Sequence, residues 1–137
     1  MKNKKKSIYE PSDSEKFMNP KQIEYFKNLL LTWRKDILQE SSNTLDHLKE
    51  ESSNKPDNAD RASIESERSL ELRTRDRERK LLRKIEQALG RISSGDYGYC
   101  EESGDPIGLR RLLARPTATL SLEAQQRREK RQRQFGV

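Results

Sequence analysis

Apolar residues recur at Ile23, Phe26, Leu30, Trp33, Ile37, Thr44 or Leu45, and Leu48, in steps that are mostly three and four. That spacing is one stripe of an α-helix and not the alternation of a strand. Asn19-Pro20 opens the run with a capping residue followed by proline at the first helical position. No Gly or Pro interrupts it before about Ser53, so the helix would span roughly 45–50 Å at 1.5 Å per residue. The stretch Asn54-Lys55-Pro56-Asp57-Asn58-Ala59-Asp60 then breaks the pattern. Pro56 disfavours helix at Lys55, and the Asx residues favour a turn or a new helix start.

A second run without Gly or Pro begins at Arg61 and continues to Leu89. Its apolar positions are Ile64, Leu70, Leu72, Leu81, Leu82, Ile85, Leu89 and Ile92, and Gly90 or Gly95 can end it. Between Glu65 and Glu86 both signs of charge alternate densely, through Glu67, Arg68, Glu71, Arg73 and the run Arg75 to Lys80. Such a run predicts a solvated helix laced with ion pairs, each contributing roughly 0.2–0.5 kcal/mol. Two helices of similar length joined by a short break pair most simply as an antiparallel hairpin. Apolar density is greatest at Ile23–Ile37 and Leu81–Ile92 and thins toward Pro56. A polar finger of this kind buries little and makes sense as something that reaches.

The remaining chain divides by texture. Residues 1–18 are rich in Lys, Ser, Glu and Pro, which predicts a flexible arm with Tyr9 and Phe17 available for docking. The hairpin occupies 19–95, with its tip at 54–62. Residues 96–120 read as two very short strands around a Gly/Asp/Pro turn, followed by a small apolar cluster. Residues 121–137 read as a basic C-terminal helix carrying Arg127, Arg128, Lys130, Arg131 and Arg133. The expected fold is therefore mostly α: a long antiparallel coiled-coil hairpin, a small globular end with a short β-hairpin, and a final helix.

Composition agrees with thin helices over a thick core, since 30% of the 137 residues are hydrophobic and 38% are charged. The formal net charge of +6 favours partners with negative surfaces without selecting one. A single cysteine excludes an internal disulfide. The lysine-rich start is followed by no apolar stretch, so neither a signal peptide nor a membrane span is expected and a cytoplasmic location is the default.

No catalytic set is legible. His47 stands alone on a polar helix, and there is neither a paired His/Ser arrangement nor a glycine-rich phosphate loop. Cys100 and Ser103 have the separation of a zinc knuckle, and Ser121 and Ala124 repeat it. Four cysteines at these positions would be a strong zinc pattern. One thiolate cannot hold structural zinc, so the expectation is a degenerate, metal-free knuckle with Cys100 as a small buried residue. At the tip, Asp57 and Asp60 could cap the second helix, an effect worth about 1 kcal/mol. Capping and a partner contact are compatible, because a capping aspartate is held rigidly.

Two segments carry a resemblance. Tyr97-Gly98-Tyr99-Cys100, with Ile107-Gly108-Leu109-Arg110-Arg111-Leu112-Leu113-Ala114-Arg115-Pro116-Thr117, resembles the zinc-finger region of the DksA family of bacterial transcription factors. Pro56-Asp57-Asn58-Ala59-Asp60-Arg61-Ala62 resembles that family's tip, and Ser69 to Leu81 its second helix. The similarity extends over roughly Asn19 to Lys130. It implies a coiled coil inserted into the secondary channel of RNA polymerase, with Asp57, Asp60 and Ala62 at the tip near the active centre. It further implies regulation of initiation at ribosomal RNA and stringent-response promoters together with the alarmone ppGpp. Arg77 matches a polymerase contact on the shaft, and Leu81, Lys84 and Arg115 match the ppGpp site; a lysine of that site is Gln125 here. The implied protein is not an enzyme, does not read DNA sequence directly, and is a monomer. A basic nucleic-acid-binding helical protein is the competing expectation, resting on the Lys2–Lys6 and Arg127–Arg133 runs.

Overall fold

The computed structural model describes residues 9–53 and 58–135. Four helices follow in chain order: α1 Pro20–Ser53, α2 Asn58–Ser94, α3 Leu109–Ala114 and α4 Leu122–Phe135. The chain divides into two compact units, one made of 1–30 with 87–137 and the other of 31–86.

Helix α1 starts where its cap predicts. The Asn19 side-chain carbonyl accepts the Gln22 N–H at 3.0 Å, satisfying one of the donors that a helix start leaves over. Helix α2 runs through Gly90 and stops at Gly95, whose φ of 84° is open to glycine without a Cβ penalty. The Asp96 and Tyr97 N–H groups turn back onto the Arg91 carbonyl at 2.9 and 3.2 Å and close the helix end.

In the first unit, the core is built from Met18, Phe26, Leu30, Ala88, Tyr97, Cys100, Ile107, Leu109, Leu112, Leu120 and Ala124, all buried. Phe26 meets Tyr97 at 5.7 Å between ring centroids, and the Tyr97 hydroxyl donates to the Pro116 carbonyl at 2.7 Å. Burial pushes the Tyr97 phenol far above its ordinary pKa, so it stays a neutral donor. The short β-hairpin expected near residue 100 is reduced to one antiparallel bridge, Tyr99 with Pro106. The Gly-rich loop spends its backbone groups on tight turns instead: Gly104 N–H to Cys100 O at 2.9 Å and Cys100 N–H to Asp105 O at 2.8 Å.

Residues 9–18 pack on the same unit. Phe17 meets Tyr99 edge-on at 5.8 Å, and Tyr9 meets Tyr25 at 6.3 Å. Met18 lies against Gly98, and its backbone N–H donates to the buried Gln22 side chain at 2.9 Å. Tyr9 and Glu15 share a hydrogen bond. Composition alone predicts a flexible arm here, because few apolar residues are present. Two of those few, Tyr9 and Phe17, are aromatic and each meets a ring on the folded part, and Met18 packs on Gly98.

In the second unit, the inner stripe of α1 continues through half-buried Trp33, buried Ile37 and half-buried Ser41. On α2, Ile64, Arg68, Glu71, Arg75 and Glu78 are half-buried, and every other residue from 61 to 80 is exposed. Leu70 and Leu72, apolar positions of the sequence pattern, are 62% and 51% exposed. The 3–4 register that puts Ile85 in the seam runs back through Leu82, Glu78, Arg75, Glu71 and Arg68, so charges and not these leucines face inward. Among the described residues, no helix is long and apolar enough to cross a membrane.

Candidate functional site

Asp57 lies outside the described residues. Asp60 is the third residue of α2, in the turn where helix N–H groups favour an acid, and Ala62, two residues on, is exposed. Farther along α2, Arg77, Leu81 and Lys84 fall at i, i+4 and i+7 and therefore share one side of the helix. Arg77 and Lys84 are exposed, and Leu81 is half-buried. The row combines two exposed cations with an apolar step between them, which suits an acidic or phosphate-bearing surface with some hydrocarbon to cover. Exposed Leu70 lies seven residues before Arg77 on the same side. Leu70 is one of the apolar positions of the sequence pattern, and the register that runs back from Ile85 turns it outward.

Arg115 belongs to the other compact unit. It caps the C-terminus of α3, with its N–H on the Arg111 carbonyl at 2.7 Å and its side chain exposed. Arg111 is held differently: its Nε donates to the Leu120 carbonyl at 2.9 Å. Gln125 is half-buried on α4 and donates to Glu129 at 3.1 Å.

The knuckle brings Cys100 and α4 into one small core. Cys100 and Ala124 are buried, and Ser121 caps α4 by accepting the Ala124 N–H at 3.2 Å. Burial pushes the Cys100 thiol up, but hydrogen bonds from the Ser103 hydroxyl and from the Ser121, Ser103 and Glu102 backbone outweigh it and hold the pKa down at about 6. One thiol, two hydroxyls and a methyl do not fit a four-thiolate zinc site, whose four ligands are all sulfur. Among the described residues, no group of three or more His, Cys, Asp or Glu is placed to hold a metal. The Ser121 hydroxyl is occupied as a helix cap, and Ala124 has become part of the core.

Residues 22–92 match the family model described as the DnaK suppressor protein DksA, N-terminal domain. Residues 95–130 match the prokaryotic DksA/TraR C4-type zinc finger. This chain belongs to the DksA family. Its similarity to the RNA polymerase-binding transcription factor DksA of Caulobacter vibrioides is 62% identity over 128 residues, covering 93% of this chain and 90% of that protein. The protein of the same name from Escherichia coli K12 is 45% identical over 127 residues, covering 93% and 84%. Transcription factor DksA2 from Pseudomonas aeruginosa has a solved structure that superposes with a TM-score of 0.80 at 45% identity, covering 90% of this chain and 94% of that one. The mostly helical, coiled-coil hairpin architecture is therefore that of the DksA family. The C4-type finger of the family description is retained here as a region but with a single cysteine.

Proposed function

We propose that this chain is a transcription regulator that binds RNA polymerase and places the α1–α2 tip in the enzyme's secondary channel, near its active centre. The observation that carries the reading is family membership across residues 22–130, with curated relatives that are named for polymerase binding. Asp57 and Asp60 are the tip acids, with Ala62 beside them, and Arg77 contacts the polymerase from the shaft. Regulation acts on initiation at ribosomal RNA and stringent-response promoters. Leu81, Lys84 and Arg115 contribute to a ppGpp site completed by the polymerase, and Gln125 in place of a lysine weakens the phosphate attraction there. The chain works by contact and does no chemistry of its own. It is a cytoplasmic monomer with a metal-free knuckle, because Cys100 alone cannot replace four thiolates.

Direct competition tests this. Labelled protein should bind purified RNA polymerase and be displaced by another secondary-channel factor. Binding that such a factor leaves untouched would count against the channel. The nucleic-acid reading rests on the Lys2–Lys6 run, which lies outside the described residues, and on Arg127–Arg133 in α4, where residues 126–135 are exposed and half of them basic. It predicts affinity for bare DNA that falls steeply with salt, whereas the regulator needs none.

A further inference from the structure

The charge run of α2 is not simply a solvated face. Its members split by register: Arg73, Asp76, Arg77, Arg79 and Lys80 are exposed, while Arg68, Glu71, Arg75 and Glu78 occupy the inward 3–4 positions. In a coiled coil those positions take apolar side chains, and polar occupants cost stability. Atom by atom the burial is real. Arg68 Nε, Arg75 Nε and Glu78 Oε2 are closed off from solvent, and among the described residues they find no hydrogen-bond partner. From Leu81 onward the stripe becomes hydrocarbon, with Leu81 and Leu82 half-buried and Ile85 buried. The facing stripe of α1 changes in step, from buried Ile37 to half-buried Ser41, while Leu45 is 37% exposed.

We propose that this four-charge seam is a built-in opening point, where α1 and α2 part locally far more readily than across the apolar seam beginning at Leu81. The physical asymmetry lies in what opening exposes. Parting an apolar seam puts hydrocarbon into water. Parting a charged one returns guanidinium and carboxylate groups to full hydration, which offsets the packing given up. Along α2, Arg75 with Glu78 stands at i,i+3 and Glu71 with Arg75 at i,i+4, spacings at which opposite charges attract within one helix whether or not α1 is in place. The segment that leads to Asp60 is thereby compliant. In the regulator reading, on which this use rests, compliance lets the tip settle in its channel.

Hydrogen exchange on the free full-length chain reads the opening through its consequence, because a helix parted from its partner keeps its own i→i−4 bonds but loses the packing that holds it and frays. Protection factors over residues 64–78 should lie at least about tenfold below those over 81–92. The pair Arg75→Leu with Glu78→Leu should raise protection over 64–78 by about tenfold or more, with sedimentation confirming an unchanged oligomeric state. The off-seam pair Arg73→Leu with Asp76→Leu adds the same hydrocarbon and should leave protection unchanged. Uniform protection from 64 to 92, or an equal gain from the off-seam pair, overturns the proposal. Exchange needs no polymerase, so this outcome is separable from that of the channel reading.

Discussion

Gly98 is the point at which one added methyl group should do the most damage. Its φ is +93°, and a Cβ built there would sit 2.7 Å from both Cγ and Sδ of Met18 and 3.4 Å from Phe17 Cζ. Two penalties follow from Gly98→Ala. An L-residue with a positive φ of this size costs about 1–2 kcal/mol. Forcing a methyl into an occupied core site costs about 1–3 kcal/mol more. Met18 has little room to yield, since it is buried and its own φ is 54°. The sum is about 2–5 kcal/mol, or a fall in Tm of roughly 10 °C or more for a chain of this size. Chemical denaturation in two backgrounds separates the terms. With Met18→Ala already present, the clash is gone and Gly98→Ala should cost only its backbone share, about 1–2 kcal/mol. An equal cost in both backgrounds refutes the clash, and a loss below about 1 kcal/mol in the native background refutes the reasoning altogether.

Other outcomes follow from the same unit. Gln22 is 1% exposed and accepts the Met18 N–H while donating to the Ser12 carbonyl at 3.3 Å. Gln22→Leu strands that N–H and should cost about 1–3 kcal/mol, with proteolysis within residues 9–18 rising in parallel. Cys100 is held near 6 against an ordinary 9.0, so between those values the unfolded chain binds the extra proton. Stability should therefore rise with pH over that window and be lost as pH falls through about 6; Cys100→Ser should flatten the slope seen in denaturation curves. Elemental analysis of protein purified without chelator should find far less than one zinc per chain, and a stoichiometric metal would overturn the metal-free knuckle.

The long helices were legible because their signals are local and redundant. Asn19-Pro20 marks one start, Gly95 one end, and the Phe26–Leu30–Ile37 stripe needs no tertiary information. Hydrophobicity alone leaves the inward face of α2 undetermined between Glu65 and Lys80. The run from Glu65 to Lys80 offers Leu70 and Leu72 as apolar candidates, yet the phase is set farther along by Ile85 and Ala88. The arm escaped the pattern because the docking of Phe17 and Met18 depends on Tyr99 and Gly98, far along the sequence, and that of Tyr9 on Tyr25 across a turn of chain. Of the candidate site, the exposed positions of Ala62, Arg77, Lys84 and Arg115 follow from helix phase and loop placement. What they contact is not written in their exposure, and the family relationship supplies it.

In the proposed function Asp60 acts on polymerase and does not merely stabilise the start of α2. Asp60→Asn separates these, since it keeps the size and polarity of the side chain at the third residue of α2 while removing the charge, and the helix-start term it gives up is only about 0.3–1 kcal/mol. Transcription from a ribosomal RNA promoter with purified RNA polymerase, measured beside binding of the variant, is the direct test. Near-native binding with inhibition abolished is the predicted result; inhibition undiminished in the variant contradicts it.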